Sequence, residues 1–129
     1  MSTFLKGNNL GNGGKALVKP AVQKYFRLIN ERRFKEAEGE LEKFKNELER
    51  SEEALGYLKA LEGILLSKKS GDEKLYLTRI EKMGKKEMKR ARSEFLSHSK
   101  NELHGAYDRG FFKALLDYLD FLKKVKFTS

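Results

Sequence analysis

Apolar side chains recur at intervals of three and four over residues 34–48, and this period constrains the fold more than any other feature. Such spacing gathers them on one face of an α-helix, whereas a half-buried β-strand would show alternation every two residues. The run consists of Phe34, Ala37, Leu41, Phe44 and Leu48. Residues 18–29 repeat the period, and Pro20, the single proline, falls near the first turn of that helix, where its missing N–H costs little. Both segments are therefore predicted to be amphipathic helices.

Later segments extend the helical pattern. Residues 54–66 are apolar nearly all round, which predicts a central buried helix, and Gly56 and Gly63 lie seven apart on one face, where a neighbouring helix would approach closely. A helix over about residues 85–98 would bury Met88, Ala91 and Phe95. We expect an all-α fold of five to six antiparallel helices in a compact helical-hairpin array.

Two pairs with the spacing of a capping box are predicted to start further helices. Ser70 with Glu73 would begin one, and Ser99 with Glu102 is the second pair. The final apolar helix is expected to begin either before or after Gly105 and Gly110. Residues 1–14 differ from the rest, because their Gly and Asn content cannot supply a packed core. We therefore expect a flexible N-terminal arm over residues 1–14 and one helical domain over residues 15–129.

Composition excludes several classes of protein. The 129 residues include no cysteine, which rules out disulfides and thiolate metal sites. No apolar stretch approaches the roughly 18 residues that would span a bilayer, and residues 1–7 lack the apolar core of a secretion signal. The sequence predicts a cytoplasmic protein with no membrane partner and no cofactor.

Two resemblances add to this interpretation. The segment Asn30–Ala37 resembles the turn between the two helices of a tetratricopeptide unit, and residues 70–76 and 108–114 are looser versions of it. Residues 56–67 and 95–112 are similar to small archaeal proteins of unassigned function. The first resemblance implies helical hairpins, and the second implies no named activity.

Charge is unevenly distributed along the chain, whose formal net charge is +9. Acidic residues are concentrated in residues 36–53, where they predict a solvated face that would repel nucleic acid. Basic residues are concentrated in residues 82–92, with Glu87 as the only acid. The basic stripe consists of Lys82, Lys85, Lys86, Lys89, Arg90 and Arg92. Such a stripe would meet several phosphates of a polyanion; the alternative is the solvated face of a lysine-rich protein.

Three more basic residues, Lys6 within the arm and Lys15 and Lys19 just after it, bracket the glycine-asparagine run of the arm. This run is not a phosphate-binding loop, because Asn9 stands where the first glycine is needed and Ala16 follows the lysine instead of Ser or Thr. We expect the arm to follow an RNA backbone; the alternative is a disordered tail, and a tail that orders on RNA would satisfy both descriptions.

Two remaining groups of residues are predicted to be structural. His98 and His104 are six apart, on different faces of a helix, which predicts no convergent metal ligands or catalytic pair, and a hydrogen bond from His104 to Asp108 is expected instead. Tyr107, Arg109, Phe111 and Phe112 are expected to pack locally, although an exposed Tyr107 would be able to stack on a base. The sequence predicts no catalytic residue.

These observations favour a non-enzymatic RNA-binding protein that belongs to, or associates with, a ribonucleoprotein such as the ribosome. The basic stripe and the arm would hold the phosphate backbone of structured RNA, with little reading of base sequence. The alternative is a helical-hairpin adaptor, similar to tetratricopeptide proteins, that holds another protein in a groove between helices. A third class, an enzyme, would need a polar pocket around His98, His104 and Asp108.

Overall fold

The computed structural model describes residues 12–47, 51–71 and 76–127, and these residues form six α-helices with no strand among them. The helices are α1 (Asn12–Asn30), α2 (Phe34–Glu47), α3 (Glu52–Ser70), α4 (Tyr76–Ile80), α5 (Lys85–Lys100) and α6 (Ala106–Phe127). The predicted all-α fold is confirmed. Helix α1 begins at Asn12, so the last three residues assigned to the arm, 12–14, are helical; residues 1–11 of the arm lie outside the described residues.

Helices α1, α2 and α3 form two successive antiparallel hairpins. The first turn spans residues 31–33, where Arg32 adopts a left-handed backbone conformation with φ of 62°. The ring of Tyr25 packs edge-on against that of Phe44, at 5.9 Å between centroids, which joins α1 to α2. The predicted stripe on α2 is confirmed at Ala37, Leu41 and Phe44, which are buried; Phe34 is half-buried, and Leu48 lies outside the described residues.

Helix α3 is central, as predicted, and packs most extensively against α6. The two helices cross where Gly56 of α3 meets the backbone of Tyr107 and Gly110 of α6 meets the backbone of Glu53. A β-carbon at either glycine would overlap the facing carbonyl group. The close approach expected at Gly56 is therefore present.

Helices α5 and α6 form the last hairpin. Its antiparallel direction is shown by contacts between Phe95 and Phe112 near the turn and between Arg92 and Asp120 further along. Met88, Ala91 and Phe95 are buried on α5, as predicted.

Helix ends were predicted less well than helix faces. The predicted start at Ser99 is wrong, because Ser99 lies within α5 and its hydroxyl donates to the carbonyl of Leu96 at 2.8 Å. Helix α6 begins only at Ala106 and contains Gly110. The other predicted capping pair includes Glu73, which lies outside the described residues.

Buried tyrosines tie the helices together through polar contacts. The Tyr25 hydroxyl donates to the carbonyl oxygen of Leu61 at 2.7 Å, joining α1 to α3. The Tyr118 hydroxyl donates to Glu81 at 2.9 Å, and Lys68 pairs with the same carboxylate. Each contact satisfies a polar group that burial would otherwise penalise. Among the described residues, no helix is both long and apolar enough to cross a membrane.

Candidate nucleic-acid interface

A groove of about 830 Å³ runs between α5 and the C-terminal half of α6, with Gln23 of α1 at one side. Its base is apolar and contains the buried Phe121 and the half-buried Leu96 and Phe127. Its basic residues are Lys85, Lys89, Arg92, Lys123 and Lys124. The groove therefore combines an apolar surface with cationic edges.

Helix geometry explains why three residues of the basic stripe meet in this groove. Lys85, Lys89 and Arg92 are spaced by four and three, so they share one face of α5. This face adjoins the buried one that contains Met88 and Phe95, which holds the basic residues beside α6. The sequence pattern thus dictates half of the groove.

The other half comes from α6 and was not predicted. Lys123 and Lys124 follow the buried Phe121 and Leu122 in the last turns of α6. Lysines near a helix C-terminus also interact favourably with its negative end. The antiparallel packing of α6 against α5 brings them to the same groove as Lys85 and Lys89, and no local spacing signals this meeting.

The groove lysines lack carboxylate partners. In the part of the chain that the structure describes, Lys85, Lys89, Lys123 and Lys124 are exposed and form no ion pair. The ammonium of Lys85 lies 5.6 Å from the centroid of the Phe127 ring. Their charges are therefore not neutralised by ion pairs among the described residues.

Two carboxylates line the groove, and each already has a partner. Arg92 holds Asp120 with its Nε 2.8 Å from one carboxylate oxygen, and this contact raises the pKa of Arg92 above its ordinary value. The Tyr57 hydroxyl donates to Asp117 at 2.6 Å. The neutral hydroxyl does not cancel the charge of Asp117, but five basic residues against two carboxylates still leave the groove with a positive formal charge.

Basic residues on the α1–α3 side contrast with those of the groove. Among the described residues, five lysines there pair with glutamates across helices or along them, although Lys35 does not: Lys24–Glu40 at 3.3 Å, Lys43–Glu40 at 3.3 Å, Lys45–Glu62 at 2.9 Å, Lys59–Glu62 at 3.7 Å and Lys69–Glu38 at 2.8 Å. The acidic segment predicted to be a solvated face thus neutralises its own basic neighbours.

The remaining residues of the basic stripe lie outside the groove. Lys86 follows Lys85 by one residue and Arg90 follows Lys89 by one residue. Each is therefore rotated by about 100° around α5 from a groove-lining lysine, and both are exposed. Lys82 lies in a separate depression of about 360 Å³ beside Arg79 and Glu87. The stripe therefore does not form one continuous surface.

The three basic residues predicted to contact RNA near the N-terminus have side chains outside the described part of the structure. Lys6 lies outside the described residues, and Lys15 and Lys19 lie in α1 with side chains outside the described part. Their contact with RNA stays a prediction.

His98 and His104 converge, contrary to the expectation that they would face apart. Nδ1 of His98 and Nε2 of His104 lie 2.9 Å apart in a hydrogen bond, and the His98 ring stacks on Phe112 at 4.6 Å between centroids. The expected partner of His104, Asp108, is exposed. The chain turns back between α5 and α6, with the Leu103 N–H donating to Asn101, and this turn brings the rings together.

The histidine pair has no third ligand nearby. Within the described ranges, no group of three or more His, Cys, Asp or Glu side chains is placed to hold a metal ion. The neighbouring cluster packs as expected: Arg109 donates to the carbonyl of His104 at 2.6 Å, and Phe112 lies against Phe95.

Comparison of the chain with protein-family models, with curated proteins and with solved structures finds no match. Its function is therefore argued from the groove itself.

Proposed function

We propose that this is a non-enzymatic, cytoplasmic RNA-binding protein that belongs to, or associates with, a ribonucleoprotein such as the ribosome. Lys85, Lys89, Lys123 and Lys124 would contact phosphates from the groove, and Lys86 and Arg90 would extend the contact along α5. One observation carries the proposal: among the described residues, none of these four groove lysines has a carboxylate partner, whereas five lysines of the α1–α3 side do.

Unneutralised lysines on two antiparallel helices suit a polyphosphate strand. Each phosphate contact releases condensed counterions, which supplies affinity that falls as salt rises. A rigid pair of helices fixes the spacing of the lysine backbone positions before binding, and the flexible side chains then adjust to the phosphates. The proposed binding is therefore driven by charge and shape.

The test compares two variants that remove equal charge. In the groove variant Lys85, Lys89, Lys123 and Lys124 become Gln; in the control variant Lys43, Lys45, Lys59 and Lys69 become Gln. Binding of a fluorescent RNA hairpin with a duplex stem and an unpaired loop is measured by anisotropy over a range of salt concentrations. The groove variant should lose about tenfold or more in affinity near 0.1 M salt, and its log–log salt slope should fall by about 3.

The control variant should bind like the wild type, because its lysines are held by glutamates on the other side of the molecule. Equal losses in both variants would mean that only net charge matters. A groove variant with wild-type affinity would refute the proposed interface.

The alternative function is a helical-hairpin adaptor for another protein. A depression of about 590 Å³ between α2 and α3 favours it, because Leu66 there is 65% exposed beside Leu41 and Leu65. An apolar side chain of a partner peptide would be the occupant. Such binding should change little with salt and should fail in Leu66→Ser, whereas RNA binding should be steep in salt and unaffected by that change.

A further inference from the structure

Phe127 places an aromatic ring in the basic groove. It lies at the end of α6 and is half-buried, so part of the ring remains accessible. The ammonium groups of Lys85 and Lys126 lie 5.6 Å and 5.8 Å from its centroid. The ring is thus an aromatic surface surrounded by positive charge.

The position of Phe127 is fixed by its neighbour. Lys126 donates hydrogen bonds from Nζ to the backbone carbonyls of Glu81 and Met83, which ties the end of α6 to the turn before α5. These contacts hold the ring beside Lys85 without any ligand. A ring held in advance loses little conformational entropy when a second planar group stacks on it.

The apolar floor of the groove indicates whether duplex or unpaired RNA fits it better. A duplex presents phosphates on its outside and keeps its bases paired, so Leu96 and Phe127 would meet only the backbone. An unpaired strand offers phosphates and exposed base faces together, and aromatic side chains bind such faces by stacking. A groove with an aromatic floor and cationic edges therefore matches the unpaired strand.

We infer that the groove binds an unpaired RNA segment, such as a loop, bulge or strand end, with one base stacked on Phe127. Phosphates on either side of that base are held by Lys85 and Lys89 of α5 and by Lys123 of α6. Phe127 reads the presence of a base and little of its identity, because every base has a π face. This inference rests on the proposed function and adds the kind of RNA that the groove takes.

The experiment uses two probes made from the hairpin RNA: its stem as a duplex, and its loop sequence as a linear strand. The linear strand has about 12 nucleotides, a length within the range that single-strand-binding proteins cover. Phe127→Leu keeps an apolar side chain against the core but removes the π face, and Phe127→Tyr keeps both. The leucine variant should bind the linear strand about 5- to 100-fold more weakly, and the tyrosine variant should bind it like the wild type. Inorganic polyphosphate, which has charge but no bases, should bind all three proteins equally.

Each outcome bears on one claim. Unchanged strand binding by Phe127→Leu, or equal wild-type affinity for stem and strand, would overturn this inference while leaving RNA binding intact. If Phe127→Leu weakened strand and polyphosphate binding equally, the ring would serve to position the lysines and not to stack on a base. That result would also overturn the inference. Wild-type protein that binds none of the RNAs would instead overturn the proposed function. Circular dichroism of both variants confirms that the helices are retained.

Discussion

At the scale of single residues, Gly56 and Gly110 set how closely α3 and α6 cross. A methyl group at Gly56 would overlap the carbonyl group of Tyr107, and one at Gly110 would overlap that of Glu53. Backbone atoms cannot rotate aside as a flexible side chain can, so the helices would have to separate. The central packing of the molecule therefore depends on these two positions.

Replacing Gly56 with Ala should lower the free energy of unfolding by about 2–3 kcal/mol, since overpacking outweighs the gain in helix propensity. Urea denaturation followed by circular dichroism measures the change. Gly39→Ala is the matched control, because Gly39 lies in α2 with open space where its β-carbon would be. That variant should be about 0.5–1 kcal/mol more stable than the wild type. Stabilisation of both variants would contradict the close crossing.

The candidate site shows which residue positions a sequence can predict. The basic stripe was predicted as six residues from Lys82 to Arg92, and only Lys85, Lys89 and Arg92 of it line the groove, because their spacing of four and three puts them on one face of α5. Lys123 was missed, because it reaches the groove only through the packing of α6 against α5. His98 and His104 were missed as a pair for the same reason: a turn between two helices, and not a helical spacing, brings them together.

At the scale of helices, faces were predicted better than ends. The buried stripe of α2 follows from periodicity, which depends on many residues at once. The predicted start of α5 near residue 85 is confirmed, and there the Gly84 N–H donates to the Glu87 carboxylate at 3.1 Å. The predicted start at Ser99 is wrong, because a capping pair rests on two residues only and the Ser99 hydroxyl instead donates to a carbonyl inside α5.

Ser51 provides a test of capping at the start of the central helix. Its hydroxyl accepts a hydrogen bond from the Ala54 N–H at 3.1 Å, satisfying a donor that α3 leaves without a helical partner. Ser51→Ala should therefore lower the free energy of unfolding by about 1 kcal/mol in chemical denaturation. Ser51→Asn retains an acceptor and should be close to the wild type. Equal loss in both variants would show that the hydroxyl acts in another way.

At the scale of the whole molecule, the described basic residues are paired with carboxylates more often on the α1–α3 side than around the groove. Ion pairs such as Lys45–Glu62 and Lys69–Glu38 neutralise the side formed by α1 to α3. The groove between α5 and α6 has no such compensation for Lys89 or Lys123 within the described residues. Exposed ion pairs add little stability, so this arrangement affects the direction of the molecule's electric field more than its fold.

Three buried tyrosines make the stability of the whole fold sensitive to alkaline pH. Burial raises the pKa of Tyr25, Tyr57 and Tyr118 well above the ordinary value of 10.0, and nearby carboxylates raise it further. A raised pKa means that the folded protein keeps protons that the unfolded chain loses. The stabilising contribution is therefore complete below pH 10 and is lost as pH rises towards the folded-state pKa values.

Above about pH 10 each of these tyrosines should reduce the free energy of unfolding by about 1.4 kcal/mol per pH unit. Tyr25→Phe measures the contribution of one tyrosine. The Tyr25 hydroxyl donates to a backbone carbonyl, so removing the hydroxyl leaves no charged group without a partner. Urea unfolding at several pH values should give a slope that is shallower in Tyr25→Phe by that amount. Lysine deprotonation lowers the free energy of unfolding of both proteins alike, so it cancels when the two slopes are compared. Equal slopes would mean that Tyr25 ionises as easily in the folded protein as in the unfolded chain.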